Sequence, residues 1–313
     1  MTASALRPVS LDLWRRDATA FAAALGASFE QSGFAIVEDH GLDQGRIDTA
    51  LDSAKHFFAL PDEFKRRYHV PGGAGQRGYT PFGIETAKGA SASDLKEFWH
   101  VGRELPPGHP LQTYMPPNLW PSEPAGFRQA QLWLYDALDT LGRTVLEALA
   151  LRLGLGRAWF APSVTDGNSV LRLLHYPPSP AGAGSAMRAG AHEDINAITL
   201  LLGAEEAGLQ ILGRDGRWRD INPPPGAVVV NIGDMLSRLT NDVLPSTTHR
   251  VVNPAPERAS LARYSTPFFL HFRPDFTVAT LPPCVSAERP DRYPQAITAD
   301  AFLRQRLEEI RLS

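Results

Sequence analysis

The chain has 313 residues, of which 43% are hydrophobic and 21% are charged, a composition typical of globular proteins. The net charge of -3 provides no basic excess for a nucleic-acid backbone or an anionic membrane, so neither is expected as a partner. The single cysteine, Cys284, excludes an internal disulfide and a cysteine-based metal site, and it favours a reducing, cytoplasmic location.

The front of the chain mixes predicted strands and helices. Apolar periodicity and Gly/Pro breaks predict a short strand over 7–12, a helix over 17–32, a strand over 34–37 and a helix over 43–59. Residues 70–93 are rich in Gly, Ser, Ala and Thr and have few strong apolar positions, so they are predicted to form a long loop.

The back half is predicted to be rich in strands. A long helix over 124–155 comes first, with an apolar stripe at Leu134, Leu138, Leu141, Val145 and Leu149. Short β-type runs then follow at 170–176, 197–203, 208–212, 227–233, 249–252 and 263–272, before a last helix at 298–311. Many short strands at close spacing indicate a sandwich or a small barrel, and the absence of βαβ alternation and of glycine-rich phosphate loops disfavours a nucleotide fold.

A candidate metal site lies in this β-rich half. In an extended segment, residues i and i+2 face the same side, so His192 and Asp194 are expected to project together and Glu193 away from them. His249 begins a later β-type run and could be the third ligand. Two imidazoles and one carboxylate leave part of an octahedral ion open, which suits an Fe(II) that must bind O₂ and a substrate. The alternative is two unrelated histidines, one at the surface and one packed.

A candidate anion site follows in RYSTPFF. On a strand, Arg263 and Ser265 would share a face, and an Arg fork beside a hydroxyl is well shaped to hold a carboxylate. Tyr176 is a candidate further donor to the same group. The alternatives are an Arg paired with a structural acid and a packed tyrosine.

Long strings of the sequence resemble one family, the isopenicillin N synthase-like 2-oxoglutarate/Fe(II) oxygenases. HEDINAITLLL resembles the family's HxD segment, residues 216–254 its segment around the distal histidine, RYSTPFF its RxS motif and LRLLHYPP its tyrosine-containing strand. SGFAIVEDHGL and DLKEFWHVG resemble its N-terminal region, so the resemblance spans about residues 7–275. One departure is Leu174-His175-Tyr176, where many members have Asn-Tyr-Tyr.

The resemblance implies a mainly β fold with flanking helices (α+β) around a double-stranded β-helix, or jelly-roll, core. It implies an N-terminal mixed region over 1–120, a supporting helix over 121–160, a jelly-roll Fe(II)/2-oxoglutarate core over 161–280 and a C-terminal loop and helix over 281–313.

The resemblance also implies a dioxygenase that uses Fe(II), 2-oxoglutarate and O₂ to oxidise a small-molecule substrate, releasing succinate and CO₂. Iron would be bound by His192, Asp194 and His249. Arg263 and Ser265 would hold the distal carboxylate of 2-oxoglutarate, and Tyr176 would help. The pocket candidates are Arg172, which shares a strand face with Tyr176, together with Phe268 and His175.

Three alternatives stay open on the sequence alone. The first is an isopenicillin N synthase-like oxidase that uses no 2-oxoglutarate, and the second is an ethylene- and succinate-forming type of enzyme. The third is a non-catalytic jelly-roll protein that binds a metal or a carboxylate. The primary substrate and the oligomeric state cannot be predicted from these residues.

Overall fold

The computed structural model describes residues 6–73, 75–84, 96–178, 189–202, 208–252 and 261–309. Its strands are β1 (Pro8–Ser10), β2 (Phe34–Glu38), β3 (Gly78–Thr80), β4 (Glu97–Gly102), β5 (Val170–Tyr176), β6 (Ala189–His192), β7 (Ile198–Leu202), β8 (Leu209–Leu212), β9 (Trp218–Asp220), β10 (Val228–Ile232), β11 (His249–Val251), β12 (Arg263–Ser265), β13 (Pro267–Leu270), β14 (Thr277–Val278) and β15 (Ile297–Thr298). Its helices are α1 (Leu11–Arg16), α2 (Ala18–Ser32), α3 (Gln44–Phe58), α4 (Asp62–Arg66), α5 (Phe127–Arg152), α6 (Ala161–Val164), α7 (Asp234–Leu239) and α8 (Ala299–Glu309).

Two sheets form the core of the fold. The larger sheet has the order β1-β2-β10-β7-β13-β5-β4-β3, with β12 also paired to β5. The smaller sheet has the order β6-β11-β8-β9, and each of its pairs is antiparallel. The strands are thus divided between two mainly antiparallel sheets, with β1 and β2 the one parallel pair described, as the predicted jelly-roll core requires, and the α+β class is confirmed.

In the larger sheet, one face of the strands packs in the hydrophobic core and the other face lines a cleft, so successive residues alternate between the two. In β10, Val228, Val230 and Ile232 belong to the main hydrophobic core, whereas Val229 and Asn231 line the cleft. The side chains of a strand point alternately to opposite faces, so one run can serve both sides of the sheet. Strands β7 and β13 of the same sheet show this alternation too.

The long helix α5 covers the core face of this sheet. The predicted apolar stripe is confirmed as buried at Leu134, Leu138, Leu141, Val145 and Leu149. A Cβ on Gly142 would lie 2.5 Å from Cδ1 of Leu270 on β13, so the glycine permits the close approach of helix and sheet.

The front of the chain agrees with the predicted elements to within about two residues at most ends. Helix α2 begins after Asp17, whose side chain accepts a hydrogen bond from the first turn, and it ends at Gly33 with φ of 71°. The predicted loop over 70–93 contains a short strand, β3, and its part from 85 onward lies outside the described residues. Of the helices that the structure describes, none has the combined length and apolar character for a membrane crossing.

Candidate metal and cosubstrate site

His192, Asp194 and His249 come together in the lining of the cleft. Each offers one ligand atom, and these three atoms lie within 4.8 Å of one another. Nε2 of His192 is 3.8 Å from Oδ1 of Asp194, and Nε2 of His249 is 3.9 Å from Oδ2 of the same carboxylate. The two histidines are direct partners in the antiparallel pairing of β6 with β11, which explains why residues far apart in sequence meet here.

Backbone carbonyls fix the orientation of both imidazoles. Nδ1 of His192 lies 2.8 Å from the carbonyl oxygen of Gly190, and Nδ1 of His249 lies 3.1 Å from that of Thr247. A carbonyl can only accept, so Nδ1 carries the proton in each ring and donates it. The lone pair of each Nε2 is then available to a metal, which is the arrangement usual for ligating histidines.

The carboxylate of Asp194 is oriented by two neighbours that the sequence analysis missed. Thr199 Oγ1 donates to Oδ2 at 2.6 Å, and Asn231 Nδ2 donates to the same oxygen at 2.8 Å. Both donors are polar residues inside apolar strands, β7 and β10. A buried polar residue in such a run needs a hydrogen-bond partner, so a polar position within each apolar run was the sequence signal that could have identified the two donors.

The protonation states suit a metal site. Burial first and the neighbouring His249 second lower the pKa of His192 to about 4, although Asp194 acts in the opposite direction and 42% of the side chain remains exposed in the cleft. Burial alone would raise the pKa of Asp194, but His249, His192 and the two hydrogen bonds lower it overall. At neutral pH the site therefore presents a neutral imidazole at His192 and a carboxylate, which are the forms that bind metals.

The chemistry of this donor set fits Fe(II). Two imidazole nitrogens and a carboxylate oxygen on one side, with Asp194 and His249 almost fully buried and His192 open to the cleft, leave positions for further ligands. Glu193 takes no part, as expected, because its Oε1 accepts a hydrogen bond from Thr248 Oγ1 at 2.9 Å outside the cleft lining.

The predicted anion residues line the same cleft as the three metal-ligand candidates. Arg263 is 2% exposed, pairs with Tyr176 in the β12–β5 register, and has its guanidinium carbon 5.4 Å from the centre of that ring. Ser265 pairs with Leu174, two positions along each strand, and also faces the cleft. The structure thus brings the three residues to one wall, as alternation along RYS predicts.

Of the three pocket candidates, the structure brings only Arg172 to the cleft. Phe268 is fully buried on the core side, where its ring meets Tyr135 edge-on at 5.0 Å. Its neighbour Phe269 lines the cleft instead, because odd-numbered positions from Arg263 onward share that face. His175 also lies outside the lining and stacks against Tyr264 at 4.8 Å.

His175 belongs to a buried charge network that joins the front of the chain to β5. Its Nδ1 is 2.7 Å from Oε1 of Glu97, and Lys65 Nζ donates to Oε2 of the same carboxylate at 2.7 Å, with Tyr79 as a third donor. Burial would raise the pKa of Glu97, but hydrogen bonds from His175, Lys65 and Tyr79 lower it overall. The carboxylate is therefore ionised and holds β3, β4, β5 and α4 together.

The cleft encloses about 640 Å³, including space open to solvent, and is lined from both sheets. Its polar lining includes Lys96, which the sequence analysis did not single out as a pocket residue.

Comparisons with known proteins agree with this geometry. Residues 8–123 match the sequence model of the non-haem dioxygenase in morphine synthesis N-terminal family, and residues 167–272 match that of the 2OG-Fe(II) oxygenase superfamily. A 2-oxoglutarate-Fe(II) type oxidoreductase of Emericella nidulans is 35% identical over 283 residues, covering 87% of this chain and 80% of its own length.

Solved structures resemble the whole chain. A 2OG-Fe(II) oxygenase family protein from Caulobacter crescentus is 63% identical with a TM-score of 0.92, covering 98% of this chain and 100% of its own. A full-length Neurospora crassa protein, solved in complex with alpha-KG and thymine, is 29% identical with a TM-score of 0.87, and the match covers 97% and 96% of the two chains.

Proposed function

Because the chain belongs to the 2-oxoglutarate/Fe(II) oxygenase superfamily, we propose that its Fe(II) is bound by His192, Asp194 and His249. The observation that carries this proposal is the convergence of the three ligand atoms within 4.8 Å at a cleft. The hydrogen bonds at both Nδ1 atoms and at Asp194 Oδ2 support it, because they hold the donor atoms in place before a metal binds.

We assign 2-oxoglutarate to the neighbouring wall of the cleft, formed by β5 and β12. Arg263 holds the distal carboxylate of 2-oxoglutarate through a charge-assisted fork, and Ser265 and Tyr176 add hydroxyl donors. The support is that all three line the cleft of the triad and share one face of the β5–β12 pair. An anchor at the far carboxylate presents the keto acid end of 2-oxoglutarate reproducibly to the metal.

The enzyme oxidises a small-molecule substrate with O₂ and 2-oxoglutarate, releasing succinate and CO₂. The bound iron and its cosubstrate supply this chemistry, and the protein supplies binding and orientation. Apolar cleft residues such as Leu174, Leu201 and Phe269 exclude water around the substrate, while the carbonyl-bound imidazoles keep the metal position fixed.

We also assign the protein to the isopenicillin N synthase-like branch and to the cytoplasm, the latter supported by its single cysteine.

Anaerobic addition of Fe(II) and 2-oxoglutarate to the purified protein tests this assignment. A visible charge-transfer band is expected, because the keto acid chelates the iron, and the band should saturate at one iron and one 2-oxoglutarate per chain. Absorbance titration gives both ratios. Iron that binds without producing the band would favour the oxidase alternative, and a chain that binds no iron would contradict the assignment.

A further inference from the structure

A side chain from the front of the chain lies against one of the metal-ligand candidates. Phe34 is the first residue of β2, and its ring meets the imidazole of His249 edge-on, with 5.5 Å between the ring centres and 76° between the ring planes. Phe34 is 1% exposed and lines the cleft. Strand β2 thus brings an aromatic ring from the N-terminal region to the metal site.

The same residue lies beside the support of a second ligand candidate. The pairing of β2 with β10 places Phe34 directly opposite Asn231, whose amide donates to Oδ2 of Asp194. Both residues line the cleft, so their side chains are neighbours on one face of the sheet, with Cβ atoms roughly 5 Å apart. Phe34 therefore packs where the supports of His249 and Asp194 meet.

Gly33 brings the segment that carries His249 close to Phe34. It ends α2 with φ of 71°, and a Cβ on it would lie 2.4 Å from Oγ1 of Thr247 and 2.5 Å from the carbonyl oxygen of Pro245. Only a glycine permits both this φ and this approach. The carbonyl of Thr247 accepts the Nδ1 proton of His249, so the glycine contacts the residue that orients the imidazole.

The two contacts restrain the imidazole in different ways. The hydrogen bond at Nδ1 of His249 fixes one atom of the ring but leaves the ring free to rock about that bond. A large, almost fully buried phenyl ring packed edge-on limits this motion, and the contact is directional because the edge of one ring meets the face of the other. An aliphatic side chain would fill much of the same volume without that directional contact.

Building on the proposed function, we infer that Phe34 is a positioning residue of the metal site. Together with Gly33, it holds His249 in the orientation that presents Nε2 to the metal. Phe34 supplies no ligand atom and acts through the imidazole. The N-terminal region thereby takes part in metal binding, in addition to packing against the sheet.

Phe34→Leu tests the contact through the affinity for Fe(II), measured anaerobically in competition with a coloured chelator. The affinity is expected to fall about tenfold, as is usual when a residue that orients a metal ligand is lost. Ile36→Ala is the matched control, because Ile36 belongs to the same small apolar cluster and is 2% exposed but lies outside the cleft lining. It should lower the melting temperature at least as much and leave the Fe(II) affinity unchanged.

Gly33→Ala and Gly154→Ala separate the contact from backbone strain. The two glycines have φ of 71° and 72°, but a Cβ on Gly154 would meet no described atom within 4 Å. Both substitutions strain the backbone alike, and only Gly33→Ala displaces residues 245–247. The affinity for Fe(II) should fall about tenfold in Gly33→Ala and stay at the wild-type value in Gly154→Ala.

The orientation of the imidazole is also measured without metal. Long-range ¹H–¹⁵N correlation spectra of the metal-free protein at about pH 8, where histidine side chains are ordinarily neutral, show which ring nitrogen carries the proton. The His249 signals are identified by their loss in His249→Gln. They should show the Nδ1–H form in the wild type and a larger fraction of the Nε2–H form in Phe34→Leu.

The inference is overturned if Phe34→Leu binds Fe(II) as the wild type does, or if Ile36→Ala loses as much affinity as Phe34→Leu. It is also overturned if Gly33→Ala binds Fe(II) as tightly as Gly154→Ala, or if the His249 tautomer is unchanged in Phe34→Leu. A wild-type protein that binds no Fe(II), or one that keeps its affinity in His249→Gln, would contradict the proposed function instead.

Discussion

Asp194→Ala is expected to remove Fe(II) binding and to lower 2-oxoglutarate turnover by about a thousandfold or more, equivalent to ~4 kcal/mol. The substitution removes the anionic ligand and leaves only the two histidines, which bind a divalent ion much more weakly. It also leaves the donors Thr199 and Asn231 without their shared acceptor. Iron per chain after anaerobic gel filtration and the initial rate of succinate formation measure the two effects.

Glu193→Ala is the matched control for this substitution. It removes a carboxylate one position away, but that group accepts a hydrogen bond from Thr248 and lies outside the cleft lining. Iron content and succinate formation should stay near the wild-type values. One iron per chain in Asp194→Ala, or an equal loss in both variants, would contradict the assignment of Asp194 as a ligand.

Arg263→Gln is expected to weaken 2-oxoglutarate binding by about 30-fold to about 4000-fold, since losing one partner of a buried charge pair costs roughly 2–5 kcal/mol. Iron binding should change little, because Arg263 contacts the far end of the cosubstrate. Arg263→Lys should bind 2-oxoglutarate with an affinity between those of the wild type and Arg263→Gln, because an ammonium keeps the charge but lacks the bidentate fork. Titration of the anaerobic charge-transfer band with 2-oxoglutarate gives the dissociation constant, and the iron content is measured in parallel.

Arg250→Gln offers a comparison on a strand next to the site. Arg250 follows the ligand candidate His249, but its guanidinium donates to Gln210 at 2.8 Å and covers the ring of Trp218 at 4.0 Å. Its removal should leave the affinity for 2-oxoglutarate unchanged. If Arg263→Gln bound 2-oxoglutarate as the wild type does, or lost iron and cosubstrate together, the role given to Arg263 would be wrong.

The parts of the site that follow from local pattern could be predicted from the sequence. Alternation along RYS places Arg263 and Ser265 on one face, and the structure has them there. The same alternation, continued without interruption, selects Phe269 for the cleft, so the choice of Phe268 could have been avoided. The long helix α5 could also be predicted from the sequence, since an apolar stripe over many turns is a strong signal for a helix.

The features that could not be predicted from the sequence depend on contacts between segments that are far apart in the chain. Strand β4 was missed because all six of its residues are buried, so it has no alternation of polar and apolar positions to mark it. The pairing of His192 with His249, the hydrogen bonds to Asp194 and the link from Glu97 to His175 each join separate strands. Local sequence contains no register between strands. The resemblance to a family therefore predicted the metal-ligand candidates only as a set of residues, and it did not predict the hydrogen bonds to Asp194 or the link from Glu97 to His175.

The most direct measurement is diffraction at the iron absorption edge from crystals grown anaerobically with Fe(II) and 2-oxoglutarate. The account predicts one anomalous peak per chain, within coordination distance of Nε2 of His192, Nε2 of His249 and a carboxylate oxygen of Asp194. A strong peak at any other set of side chains, with these three bound to no metal, would contradict it.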